Sequence, residues 1–141
     1  MNPAHHARRR RRTLPSFLIC AALTGCAARP AVPPIVGTWR GPVPTGGVSL
    51  PSRWELRADG TQSETLTLPQ GELTSEGTFT FHGGTLTART TGRTVTLGGQ
   101  KKTMPLVSPL EAVYRCQVSG DTLTLTRPQA HEAITLTREN P

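Results

Sequence analysis

Thr78-Phe79-Thr80-Phe81-His82-Gly83-Gly84-Thr85-Leu86-Thr87-Ala88 is the stretch that decides the fold. Phe79 and Phe81 alternate with threonines, which places both rings on one face of an extended strand, and Leu86 and Ala88 resume the alternation after the turn. Gly83 and Gly84 allow the positive φ of a tight hairpin. Threonine fills the other face because a β-branched side chain suits a half-wet pleated surface.

The same cadence runs outward in both directions. Trp54, Leu56 and Ala58 alternate with Glu55 and Arg57 before Asp59-Gly60, and Leu66 and Leu68 alternate with threonines before Pro69-Gln70-Gly71. Val95 and Leu97 follow Gly92 and end at Gly98-Gly99. Ala112, Tyr114, Cys116 and Val118 share a face up to Ser119-Gly120-Asp121, after which come Leu123 with Leu125 and then Ile134 with Leu136. With residues 35–40 as the first, the spacing predicts about eight or nine short strands, and no stretch carries a helical stripe. Consecutive hairpins make an all-β antiparallel meander, and such a meander best buries its single apolar face by closing into a small barrel. The alternative is a two-sheet β-sandwich. Aromatic residues are 4% of the chain, so the core is expected to come from Leu, Val and Ile.

The first 25 residues read differently. Five successive arginines, Arg8 to Arg12, precede an apolar run from Leu14 to Leu23 of about ten residues, the layout of a signal peptide. Spanning a bilayer takes about 20 apolar residues, so the run is too short for a transmembrane helix. Leu23-Thr24-Gly25-Cys26 then resembles the lipobox of bacterial lipoproteins. That resemblance implies that the Cys26 thiol receives a diacylglyceryl group, that residues 1–25 are removed, and that Cys26 becomes the acylated first residue, with palmitate-type chains as anchor. Two or three such chains hold a protein stably on a membrane. Arg11-Arg12-Thr13-Leu14 partly resembles a twin-arginine signal, with Pro15 at odds with it, and the general secretory route is the favoured reading.

Residues 26–34 include Ala27-Ala28-Arg29-Pro30-Ala31-Val32-Pro33-Pro34, whose prolines exclude a helix or a central strand and leave a semi-extended tether. Ala27 stands where lipoproteins of two-membrane bacteria usually lack aspartate when sent to the outer membrane. The expected location is thus the extracytoplasmic side of the cell envelope, the outer membrane where the cell has one. Residues 35–141 form the single domain.

The formal charge of +7 belongs mostly to the leader: five of the 16 basic residues are Arg8 to Arg12, leaving 11 basic against nine acidic residues, a net of +2 over residues 26–141. No basic groove interleaved with aromatics remains, which argues against nucleic-acid binding. Of three cysteines, Cys20 leaves with the leader and Cys26 is lipidated, so Cys116 has no partner for a disulfide and reads as a small buried hydrophobe.

Gly37-Thr38-Trp39 at the first strand resembles the Gly-x-Trp opening of lipocalin-type (calycin) barrels. The later cadence of Ala58-Asp59-Gly60-Thr61, Glu76-Gly77-Thr78-Phe79 and Ser119-Gly120-Asp121-Thr122 is similar to small lipocalin-like domains of bacterial lipoproteins, over residues 35–138. The resemblance implies that Trp39 closes one end of the barrel and that an arginine of the last strands packs over it, Arg138 first and Arg127 as the alternative. Arginine over an indole is a favourable cation–π pair. The chain is shorter than full lipocalins and lacks their trailing helix.

No catalytic constellation stands out, and the expected protein is not an enzyme. His82 and His131 sit at predicted turns without the paired spacing of a zinc site, no cofactor is expected, and Glu55, Glu64, Glu72 and Glu76 are read as lying on outward faces or turns. Residues 41–52 follow the first strand, where the resemblance to lipocalins implies the long loop that lids the open end. Residues 100–111 combine Lys101 and Lys102 with Met104, Leu106, Val107 and Leu110, either an exposed partner-facing patch or, at residues 104–107, an extra strand. Two functions follow: binding of a small apolar ligand in the barrel, or a structural role in which a filled barrel contacts another envelope protein.

Overall fold

The computed structural model describes residues 32–130 and 132–140. Nine strands follow one another: β1 (Gly37–Thr45), β2 (Val48–Leu56), β3 (Thr61–Leu68), β4 (Gly71–His82), β5 (Thr85–Leu97), β6 (Gln100–Met104), β7 (Leu110–Ser119), β8 (Thr122–Thr126) and β9 (Ala133–Arg138). Every pairing is antiparallel, and no helix occurs among the described residues. The ladder runs β4-β3-β2-β1-β9-β8-β7-β5, and β4 also pairs with β5. These pairings form a closed ring of eight strands, a barrel in which β1–β9 joins the two ends of the meander. β6 stands outside the circuit, hydrogen-bonded to β5 as a leaf at the rim.

Three elements depart from the periodicity reading. Residues 41–52 are not a loop but the far half of the β1–β2 hairpin, turning at Gly46-Gly47. Pro42, Pro44 and Pro51 are tolerated there because the β1–β9 ladder stops at Arg40 and the β2–β3 ladder begins at Ser52, so the projecting hairpin has free outer edges. Gly92 does not separate two strands either: β5 runs unbroken for 13 residues, with a bulge where the register shifts opposite Glu76 and Gly77. At Gly77 a Cβ would collide with the Arg89 carbonyl oxygen, and glycine's bare backbone admits the close approach. Finally, the extra strand is Gln100–Met104, earlier than residues 104–107, and all five of its residues are exposed.

The bulge has an architectural effect. Before it, residues 85–90 of β5 pair with β7; after it, residues 93–97 pair with β6. β5 therefore hands its free edge from the barrel wall to the leaf within three residues.

The core departs from a Leu, Val and Ile expectation. Trp39, Trp54, Phe79 and Tyr114 are buried with Ile35, Leu56, Leu86, Leu123, Leu125, Ile134 and Leu136, and Phe81 packs against them. Few aromatics are present, yet nearly all of those described point inward.

Directly opposed residues of an antiparallel ladder share a face. Arg138 opposes Trp39, Trp39 opposes Trp54, Trp54 opposes Glu64, Glu64 opposes Ser75, Ser75 opposes Arg93, and Arg93 opposes Met104. This single row crosses seven strands on the lumen side. Barrel strands are staggered, so the row begins at the sealed end, under Trp39, and climbs to the rim at the exposed Met104.

Candidate functional site

At the sealed end, the fully buried Trp39 donates its indole N–H to the Ile35 carbonyl at 2.8 Å. The Arg138 guanidinium lies over the ring, its carbon 4.1 Å from the centroid, and donates to the carbonyls of Val36 and Pro34, each at 3.0 Å. Gly37, at φ 144°, leaves the space that the guanidinium fills: a Cβ there would lie 2.5 Å from Arg138 Nη1. Arg127, the other arginine considered for Trp39, is elsewhere. It donates to the Tyr114 hydroxyl at 3.1 Å, with its guanidinium carbon 5.4 Å from that ring.

Higher in the lumen the row becomes polar. Trp54 packs edge-on against Tyr114, with centroids 5.9 Å apart and planes at 81°. Arg93 donates from Nε to the Ser75 hydroxyl at 3.2 Å. Glu64 lies between them in register, opposite Trp54 on one side and Ser75 on the other. Burial pushes the Glu64 carboxyl above the ordinary carboxylate range, against the pull of the nearby Arg93 and Arg127 charges. Among the described residues it makes no ion pair within 4 Å.

Trp54 is 98% buried, and among the described residues its indole N–H has no hydrogen-bond partner. A buried donor without an acceptor costs about 1–3 kcal/mol. It belongs to the same row as Glu64, so a donor with no acceptor and a carboxyl held toward its neutral form face one part of the lumen.

One rung nearer the rim the row becomes apolar again: Ser52 opposes Leu66, Leu66 opposes Leu73, Leu73 opposes Val95, and Val95 opposes Lys102. Beside the rim lies an open groove of about 550 Å³ lined by Glu111, Ala112, Val113, Arg127, Pro128, Gln129 and Ala130. Arg127 borders both this groove and the lumen.

Placing Glu64 on an outward face was the misreading. Glu64 shares its parity with Leu66 and Leu68, and Arg93 shares its own with Val95 and Leu97, so period two put both inside. Carboxylate and guanidinium character obscured a positional signal that was present. Glu72 and Glu76 are exposed as expected, while Glu55 joins an outer ladder of ion pairs, Arg40–Glu139–Arg53–Glu55–Arg57. Such exposed pairs contribute little stability.

Cys116 is half-buried, and burial pushes its thiol up to about 11, well away from thiolate reactivity at neutral pH. His82 ends β4 at the Gly83-Gly84 turn, exposed. His131 and Cys26, the residue expected to be lipidated, lie outside the described residues.

No family model matches the chain, and no curated protein or solved structure shows significant similarity to it. The geometry alone therefore carries the functional argument.

Proposed function

We infer that this chain is a lipid-anchored lipoprotein of the bacterial envelope, acylated at Cys26 and tethered by residues 26–34, whose lipocalin-like barrel binds a small, largely apolar ligand at its mouth. The carrying observation is the buried, unpartnered Trp54 indole N–H beside Glu64, under the apolar rung of Leu66, Leu73 and Val95. Small-molecule sites combine apolar walls with a few convergent polar groups, and this mouth has both. The lower lumen is filled by Trp39, Leu56, Leu123, Leu125 and Leu136, which confines the ligand to the upper half.

Native mass spectrometry of the full chain, gently extracted from its own host, tests the reading. A reproducible adduct that vanishes on unfolding is expected. Bare protein in every preparation overturns it.

A second reading has an observation of its own. Leu97, Met104, Val107, Leu110 and Val113 expose apolar surface along the leaf and the start of β7, Val107 fully so. That flank suits contact with another envelope protein. A photocrosslinker at Val107 that captures one defined protein in intact cells would favour this role; crosslinking no more specific than at exposed Thr80 would exclude it.

A further inference from the structure

We propose that the outer edge of β7 at Leu110–Tyr114 is a docking slot for an extended acidic segment of another protein, added to the barrel as a strand antiparallel to β7. This rests on the partner-contact reading above and gives that partner a place and a chemistry.

Backbone parity locates the slot. The Cys116 N–H donates to the Gly84 carbonyl at 2.8 Å, so Cys116, Tyr114, Ala112 and Leu110 turn their N–H and C=O groups toward β5. Glu111, Val113 and Arg115 turn theirs the other way, along the line of β8. Arg115 meets Thr126 there, but β8 ends at Thr126, and the position opposite Val113 falls to Pro128, which has no N–H. The chain turns off instead, the Ala130 N–H closing onto the Arg127 carbonyl at 3.2 Å. Among the described residues, the N–H and C=O groups of Glu111 and Val113 are left without a backbone partner. The open groove of about 550 Å³ between residues 111–113 and 127–130 runs beside them.

The other free edges are guarded. The Glu139 N–H donates to the Thr38 carbonyl, so the even-numbered residues of β1 face away from β2, and Pro42 and Pro44 remove two donors from that edge. Pro51, opposite Pro42, does the same on β2. β6 carries Lys101 and Lys102, and pairing it with a like edge about Lys102 sets equal charges against each other. Leu110–Tyr114 has neither proline nor lysine.

Side chains decide what fits. Arg127 lines the groove, is exposed, and makes no ion pair within 4 Å among the described residues. It continues the inward parity of Leu123 and Leu125, as Ala112 shares that of Tyr114, so a residue opposite Ala112 brings its side chain to the guanidinium past a single methyl. A carboxylate there makes a charge-assisted pair. Glu111, on the opposite face, calls for a neutral polar neighbour, and the exposed Val113 and Leu110 call for apolar ones. Antiparallel to β7, the occupant therefore reads apolar, acidic, polar, apolar, about 13 Å of extended chain. Lys101 and Lys102, farther along the same side of β5, extend the preference for acid.

The experiment uses the full chain in nanodiscs of neutral phosphatidylcholine, with empty nanodiscs as the blank, titrated by calorimetry with the end-capped peptide Thr-Val-Glu-Thr-Val-Glu-Thr. Its counterpart with lysine for glutamate should bind about tenfold or more weaker. N-methylation of the first valine and the middle threonine, whose N–H groups face Val113 and Glu111, should abolish binding. Hydrogen exchange in fragments covering Leu110–Tyr114 should slow on binding, while the β1–β2 hairpin is unchanged. Arg127→Gln should erase the preference for acid, and Val113→Pro should remove binding, near-ultraviolet dichroism reporting the fold of each; the N-methylated peptide probes the same bonds on the parent chain. Equal binding of the acidic and basic peptides overturns the acidic occupant, and indifference to N-methylation overturns strand addition. A dimer of the chain whose formation protects Leu110–Tyr114 assigns the slot to a second copy and overturns the proposal. Failure of the acidic peptide to bind folded protein overturns the slot; the partner reading then stands if the Val107 photocrosslinker still captures one defined protein, and falls with the slot if it does not.

Discussion

The Arg138 guanidinium sits over the Trp39 ring, 4.1 Å from its centre, while its nitrogens hold the Val36 and Pro34 carbonyls. One side chain from the last strand thus fixes both the indole at the base of the barrel and the segment that enters β1. The contact joins residues 99 positions apart in the chain. It seals the end of the barrel at which residues 34–36 lead into β1, and Asp121 stands 3.9 Å from Arg138 Nε at the edge of the seal.

Trp39→Ala should therefore destabilise the domain by about 3–5 kcal/mol, the usual loss for a buried indole. Arg138→Gln should cost about 1–3 kcal/mol through the lost cation–π contact and carbonyl hydrogen bonds. Gly37→Ala, which strains a positive φ and drives a methyl into the guanidinium, should reproduce part of the Arg138 effect and add little on top of Arg138→Gln. Urea denaturation of the single and double variants checks all three, and full additivity of Gly37→Ala with Arg138→Gln would contradict the shared mechanism.

Glu64 makes stability depend on pH in the direction opposite to an ordinary ion-paired carboxylate. Its folded pKa lies above the unfolded value, so in the window between them the folded chain binds more protons. Stability contributed by this group is full below the unfolded value and falls as pH rises through the folded one. The groups facing it are Trp54 from β2, Ser75 from β4, Arg93 from β5 and the Arg127–Tyr114 pair. Outer carboxylates such as Glu55 and Glu139, lowered by their arginine partners, act in the other direction. The difference between Glu64→Gln and the parent isolates the inner group: the variant should gain relative stability as pH rises from the unfolded carboxyl value through the raised folded one. A difference in denaturation midpoint that stays flat from the ordinary carboxylate range upward would rule out a buried Glu64.

Cys116 should alkylate slowly in the folded protein at pH 7, because its thiol titrates near 11 and is half-covered. Rates of iodoacetamide labelling should rise by about an order of magnitude or more in urea, where the thiol returns to its ordinary range. Equal rates folded and unfolded would mark Cys116 as a reactive site.

Replacing Cys26 with serine should release the protein from membranes and abolish incorporation of labelled palmitate. Fractionation of cells expressing the variant and the parent chain checks this, and undiminished membrane retention without lipid would defeat the anchoring proposal.

The barrel was legible because alternation and glycine turns are local signals, and each hairpin carries its own. Closure was legible only as physical economy; the β1–β9 ladder that achieves it joins the two ends of the meander, which no local signal pairs. The 41–52 segment was misread because three prolines argue against a strand, a rule that holds for strands paired on both sides and lapses on a projecting hairpin. Gly92 looked like a break because a bulge and a turn favour the same residue. The polar lumen was missed where identity overrode parity: Glu64 and Arg93 occupy inward positions of β3 and β5, and Arg127 follows β8 on the parity of Leu123 and Leu125, whereas Arg138 was anticipated from the resemblance at Trp39. A charged residue on the apolar parity of a strand was itself the signal that the lumen carries polar groups.

The position of β6 bears on how such a protein diversifies. Since the hydrogen-bonded circuit closes through β5 and β7, the leaf of β6 and the loop after it can be shortened, extended or rewritten without opening that circuit. The exposed flank that β6 adds beside the rim can therefore change in length and sequence while the eight-strand ring stays intact.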